Sequence, residues 1–190
     1  MSPILGIMAS SISGSKAVTN SYESIATVTV GSGGSSTITF SSIPSTYKHL
    51  QIRWIGRSTR SLFVDGSIVR FNGDSGSNYS KHNLYGTGLG SVGGENSTSQ
   101  TGINLGDTIG ATATSGNFTP GVIDILDYQN TSKYKTLKAL QGYNFDSNTS
   151  VIGFKSGLWM STSAITSITI TPEIANYAQY SSFALYGIKG

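Results

Sequence analysis

The chain has 190 residues, a charged fraction of 11%, 24 glycines, 4 prolines and no cysteine. That length suits one all-β domain, and the charged share is under half the usual ~25%. The net charge of +3 comes from scattered Lys and Arg residues, which argues against a nucleic-acid footprint. The lack of cysteine excludes disulfides and thiolate metal sites, and no run approaches the ~20 apolar residues of a membrane span.

Residues 1–20 read as an arm ahead of a domain spanning 21–190. Ile4, Leu5, Ile7 and Met8 form its apolar part, as one turn of amphipathic helix or a short strand. No basic residue precedes this cluster and it is short for the core of a signal peptide, so secretion is not expected. The cluster either patches the edge of its own domain or docks on a partner.

From Tyr22 the pattern changes to period two, the signature of strands. Ala26, Val28 and Val30 share one side of the first strand. After Gly31, Gly33 and Gly34, Ile38 and Phe40 return inward, which reads as a hairpin with a longer loop. Ile43 follows in a turn that tucks it under the domain. Leu50, Ile52 and Trp54 alternate with Gln51 and Arg53. Ile68 to Phe71 is another strand, and Asn72 to Asn78 is a pure turn segment. Tyr79 to Tyr85 is extended.

Gly86 to Gly116 is the least regular stretch, and it reads as a long loop ordered by a partner. Ile103 and Leu105 are its main apolar anchors and candidate contacts with a receptor or neighbour. Val122 to Tyr128 and Tyr134 to Tyr143 are the next strands, followed by a tight turn at Asp146 to Thr149. Val151 to Met160 and Ile165 to Thr171 are strands, the second ended by Pro172. The last strand, Gln179 to Ile188, carries apolar groups in both phases, so it is expected inside a sheet with cover on both sides. Nine or ten strands result, and the expected closure is an antiparallel β-sandwich of jelly-roll type with an extended N-terminal arm.

Little in this pattern marks chemistry. His49 and His82 are the only histidines, and no nucleophile-elbow motif is present. Asp124 and Asp127 are three apart and fall on opposite strand faces, so they read as hydrogen-bond acceptors at a strand end. The turn from Asn72 to Asn78 has oxygen ligands of calcium-binding type but no terminal Glu. The glycine clusters at 31–34 and 86–94 do not lead into helices, so no phosphate cradle is expected. Trp54 and Trp159 read as core residues, with a sugar-binding face as the alternative. No enzyme, metal or cofactor is expected.

Seven stretches together resemble a family. They are ESIATVTVGSGG from Glu23, ITFSSIPSTYKHLQIR from Ile38, VRFNGDSGSNYS from Val69, VIDILDY from Val122, YKTLKAL from Tyr134, AITSITITP from Ala164 and YSSFALYGIKG from Tyr180. They resemble small virion structural proteins of tailed phages of aquatic bacteria, including cyanophages. The likeness runs from about Ser21 to Gly190, with Gly86 to Gly116 alike only in composition.

The resemblance implies a component of a phage particle without fixing its place there; the outer surface of the virion is the expected location, after synthesis in the host cytoplasm. The first expectation is a head decoration, or cement, protein that binds the major capsid protein and other copies of itself as trimers. A binder of the assembled shell alone would stabilise that shell by mass action. The second is a tail or neck fibre protein that binds a host surface glycan. A glycan-cleaving enzyme ranks last, because no paired carboxylates stand out.

Overall fold

The computed structural model describes residues 21–145 and 150–190. The arm residues Ile4, Leu5, Ile7 and Met8, and the turn expected at 146–149, lie outside the described residues. Twelve strands follow in chain order: β1 (Tyr22–Thr29), β2 (Ile38–Phe40), β3 (His49–Gly56), β4 (Val64–Phe71), β5 (Tyr79–Thr87) and β6 (Val92–Gln100), then β7 (Ile103–Ile109), β8 (Thr119–Leu126), β9 (Lys135–Asn144), β10 (Ser150–Trp159), β11 (Ile168–Pro172) and β12 (Ser182–Ile188). They form an all-β sandwich of two antiparallel sheets. The large sheet has the order β1-β12-β3-β8-β9-β10-β5-β6, and the small one β2-β11-β4-β7.

Alternation explains the core. Every second residue of a strand points into the sandwich, and in the large sheet these are Leu50, Ile52 and Trp54, Ile123 and Ile125, Phe183 and Leu185. From the small sheet Ile38 and Phe40, Val69 and Phe71, Ile103 and Leu105, Ile168 and Ile170 meet them in one continuous core. Each fully buried Ile or Leu contributes roughly 1.5–3 kcal/mol. Trp54 stacks parallel on Phe183 with ring centres 5.8 Å apart. Both tryptophans are buried, as their strand phase indicates.

β12 lies inside the large sheet, between β1 and β3. Only its Phe183–Leu185 face is fully buried; Ala184, Tyr186 and Ile188 on the other face are half-buried. Arg53 stacks over the Tyr186 and Tyr22 rings at 5.4 and 5.8 Å. A cation on aromatic rings, not a second sheet, covers this side.

Two expectations are corrected. β1 and β2 do not form a hairpin: β1 pairs with β12 and β2 with β11. The glycine segment between them, with Gly33 and Gly34 at φ +96° and +78°, carries the chain across to the other layer. Their apolar rows therefore enter the core from opposite sheets, where a hairpin would leave both in one layer. The stretch from Gly86 to Gly116 is likewise not a long loop. It contains β6 and β7, paired with β5 and β4, so the described residues hold twelve strands. Gly-rich β6 escaped notice because it contributes nothing to the apolar core and so lacks the alternating signal.

Setting aside the hairpins β5–β6 and β9–β10, the remaining strands split into two sets of four, β1-β12-β3-β8 and β2-β11-β4-β7. Along the chain these eight cross from one sheet to the other at every step but one, since β4 and β7 both lie in the small sheet and pair with each other. The two hairpins join only the large sheet and extend it past β8.

Candidate functional site: an apolar sheet face and a polar cleft

Most residues singled out from the sequence hold the fold together. Ile103 and Leu105 are fully buried on β7. Their alternate positions face the core, so they cannot meet a receptor or neighbour, and the earlier expectation is corrected. The turn after β4 works as a clip. Its Asp74 carboxylate accepts from Trp159 Nε1 at 2.7 Å, Gly76 N at 2.8 Å and Asn78 Nδ2 at 3.0 Å. These bonds, that of Trp159 foremost, hold the Asp74 pKa below the usual carboxylate range. The oxygens offered for calcium are thus already engaged.

Asp124 accepts from Gln51 Nε2 at 2.8 Å. Asp127 holds Lys133 at 2.7 Å and Lys48 at 3.3 Å, and the hydrogen bond from Lys133 is the chief cause of its lowered pKa. Both aspartates are acceptors near the end of β8, in line with their spacing. His49 Nδ1 accepts from the Asp127 backbone N–H at 2.9 Å, and His82 is exposed on β5.

Two features of the added hairpins stand out. The first is on the outer face of the large sheet. Cross-strand pairing sets Val122, Leu140, Phe154 and Leu84 in one row across β8, β9, β10 and β5. Beside it runs the row Gly142, Ile152, Gly86 and Val92. Ile152 is 60% exposed and Val92 76%, with Leu84, Phe154 and Leu140 each about half exposed. Scattered surface leucines need no explanation, but a contiguous apolar patch marks an interaction surface. The next row, Asp124, Lys138, Ser156 and His82, is polar and bounds the patch.

The second feature is the inner face of the same strands. One inward row runs Ala139, Lys155, Asn83, Glu95; the next runs Gln141, Gly153, Tyr85, Gly93; the third runs Tyr143, Val151, Thr87. With Asn104 and Asp107 of β7 they enclose a cleft of about 370 Å³. Glu95 lies at its mouth, bound by Asn83 Nδ2 and by Lys81 at 3.3 Å. The charge of Lys81 is the main cause of its lowered pKa.

Deeper in the cleft, polar groups go without protein partners. Asn83, Gln141 and Lys155 are 3%, 4% and 6% exposed, and the side-chain oxygens Asn83 Oδ1 and Gln141 Oε1 accept no hydrogen bond. Lys155 and Asp107 pair with nothing among the described residues. Burial lowers the Lys155 pKa and raises that of Asp107. None of these residues was singled out from the sequence. The available signal was Lys155, Asn83 and Gln141 standing in the same strand phase as core residues.

No protein-family model matches this chain, and it matches no curated protein.

Proposed function

We propose that this chain is a structural protein of a bacteriophage virion, a head decoration protein that cements the assembled capsid. The observation that carries this reading is the exposed apolar face around Leu84, Leu140, Ile152 and Phe154. Such a face, weakly charged and rigidly backed by a sheet, suits a dry interface with another protein. The occupant is the outer surface of the major capsid protein lattice, with copies of the chain associating as trimers around subunit junctions. The resemblance in the seven stretches supports a virion context. The two four-stranded sets, linked by crossings between the sheets except at the β4–β7 pair, support a jelly roll, an architecture that capsid and lectin domains use.

Binding only the assembled shell would raise shell stability in proportion to occupancy. The test is the copy number on washed particles together with a double variant, Ile152→Asp with Phe154→Asp. Hundreds of copies per particle, lost in the variant while its melting temperature holds, are the expected result. A few dozen copies would make it a fibre component. Absence from washed particles would refute the reading.

A further inference from the structure

We propose that the cleft between β7 and the β9-β10-β5-β6 part of the large sheet binds a short neutral saccharide, held by Lys155, Asp107, Asn83 and Gln141 and flanked by Tyr85 and Tyr143. The proposal does not rest on the capsid reading, since a decoration protein or a fibre can each carry such a site.

The first argument is the unmet hydrogen bonding. Buried polar groups are nearly always paired, and leaving one unpaired costs on the order of 1–3 kcal/mol. Here two buried amide oxygens go without partners, and the half-buried Asp107 carboxylate and the Lys155 ammonium, neither hydrogen-bonded nor ion-paired among the described residues, converge with them from four strands. Water fills such valences in the free protein when the site is roomy and polar. A ligand of matching chemistry takes its place.

The second argument is the balance of donors and acceptors. Three groups, Asn83 Oδ1, Gln141 Oε1 and the Asp107 carboxylate, need donors, and two, the Lys155 ammonium and the Gln141 Nε2 amide, need acceptors. A ligand rich in O–H groups meets this surplus, because each hydroxyl donates to one group and still accepts from another. An anion such as phosphate would satisfy Lys155 and be repelled by Asp107 and Glu95. A metal cation would face Lys155 and Lys81.

The third argument is shape. Gly153 sits at the centre of the middle row, between Gln141 and Tyr85, and leaves the floor bare. A side chain at Gly93 would strike the Tyr85 hydroxyl, so the tyrosine lies over that backbone. Tyr85 and Tyr143 thus stand on either side of Gly153, where a phenol ring offers an apolar body and a polar tip to the C–H face of a sugar. The volume is at the lower end of small-molecule pockets, ~300–1,000 Å³.

The experiment uses the full-length protein and saturation-transfer NMR. The probes are neutral hexoses, N-acetylhexosamines and their disaccharides at high millimolar concentration, with glycine and inorganic phosphate as charged competitors. At least one sugar should receive saturation. The signal should vanish in Gly153→Val, which fills the floor, and weaken about tenfold in Asp107→Asn, the loss of one charge-assisted hydrogen bond. Ile152→Ser on the outer face should leave it unchanged. Gly153→Ala guards against misfolding: its added Cβ meets only the flexible Gln141 and Lys155 side chains, at 3.2 and 3.7 Å, and affinity should fall with the fold intact. Silence from every sugar overturns the inference. So does an undiminished signal in Gly153→Val, or displacement of the sugar by glycine or phosphate at equal concentration.

Discussion

The inner face of the large sheet has two regions built on one rule. Under the small sheet, the inward phase of β12, β3 and β8 presents Phe183, Leu185, Ile52 and Ile123 to a dry core. Along the added hairpins the same phase turns polar. In β10 it reads Trp159, Gly157, Lys155, Gly153, Val151, passing from core to cleft within one strand. At Gly157 a side chain would strike Ile103 at 2.7 Å, so β7 is packed close there. Two positions on, the cleft opens. Strand phase decides only which side a residue takes; the opposing layer decides whether that side is a core or a site.

The largest effect should come from the covered region. Phe183→Ala removes the ring that stacks on Trp54 and packs at a tilt against Tyr177 and should cost ~3–5 kcal/mol in urea unfolding. A smaller value would mean that the core collapses into the gap. Next comes Asp65, a fully buried carboxylate that contrasts with Asp107. It accepts from Ser58 Oγ at 2.7 Å and from the backbone N–H groups of Ile174 and Ala175. Asp65→Ala strands these donors and should cost about 3 kcal/mol.

In the cleft the sign should reverse. Lys155→Met removes a buried cation that has no partner, and it should raise stability by about 1 kcal/mol. Loss of stability there would show that Lys155 is paired in solution. Asp107→Asn should also stabilise near neutral pH, with a distinctive pH dependence. Because burial raises the Asp107 pKa, the folded state holds that proton more tightly than the unfolded one. The stability this group contributes is complete below the ordinary carboxylate pKa and is lost as pH rises through the raised folded value. The gain over wild type should therefore be full above that value and fade on acidification. Thermal melts of both proteins across this range measure it; a constant difference would contradict the burial of Asp107. The smallest effect belongs outside: Leu140→Ser on the apolar outer face should change stability by less than about 0.5 kcal/mol.

The covered region was legible in the sequence because its apolar alternation reports the layer opposite. Leu50, Ile52 and Trp54, or Ile168 and Ile170, announce both strand and side. The pairing of strands was not legible: β1 joins β12 from the far end of the chain, and no local pattern encodes that partner. The cleft was hidden for a related reason. Its residues, from Lys81 to Lys155, come from five strands, and each alone is an ordinary polar residue. β6, VGGENSTSQ, lines no core at all, so its extended backbone leaves no apolar trace.

The pairing of β1 with β12, Tyr22 opposite Ile188, has a kinetic consequence. Contacts between distant parts of a chain slow folding. A nascent chain leaves the ribosome from its amino end, so β1 must wait, edge exposed, until Ser182–Ile188 has been made. Production should then reward slow growth or a holding chaperone, and ribosome-bound fragments that stop before Ser182 should stay sensitive to protease at their first strand.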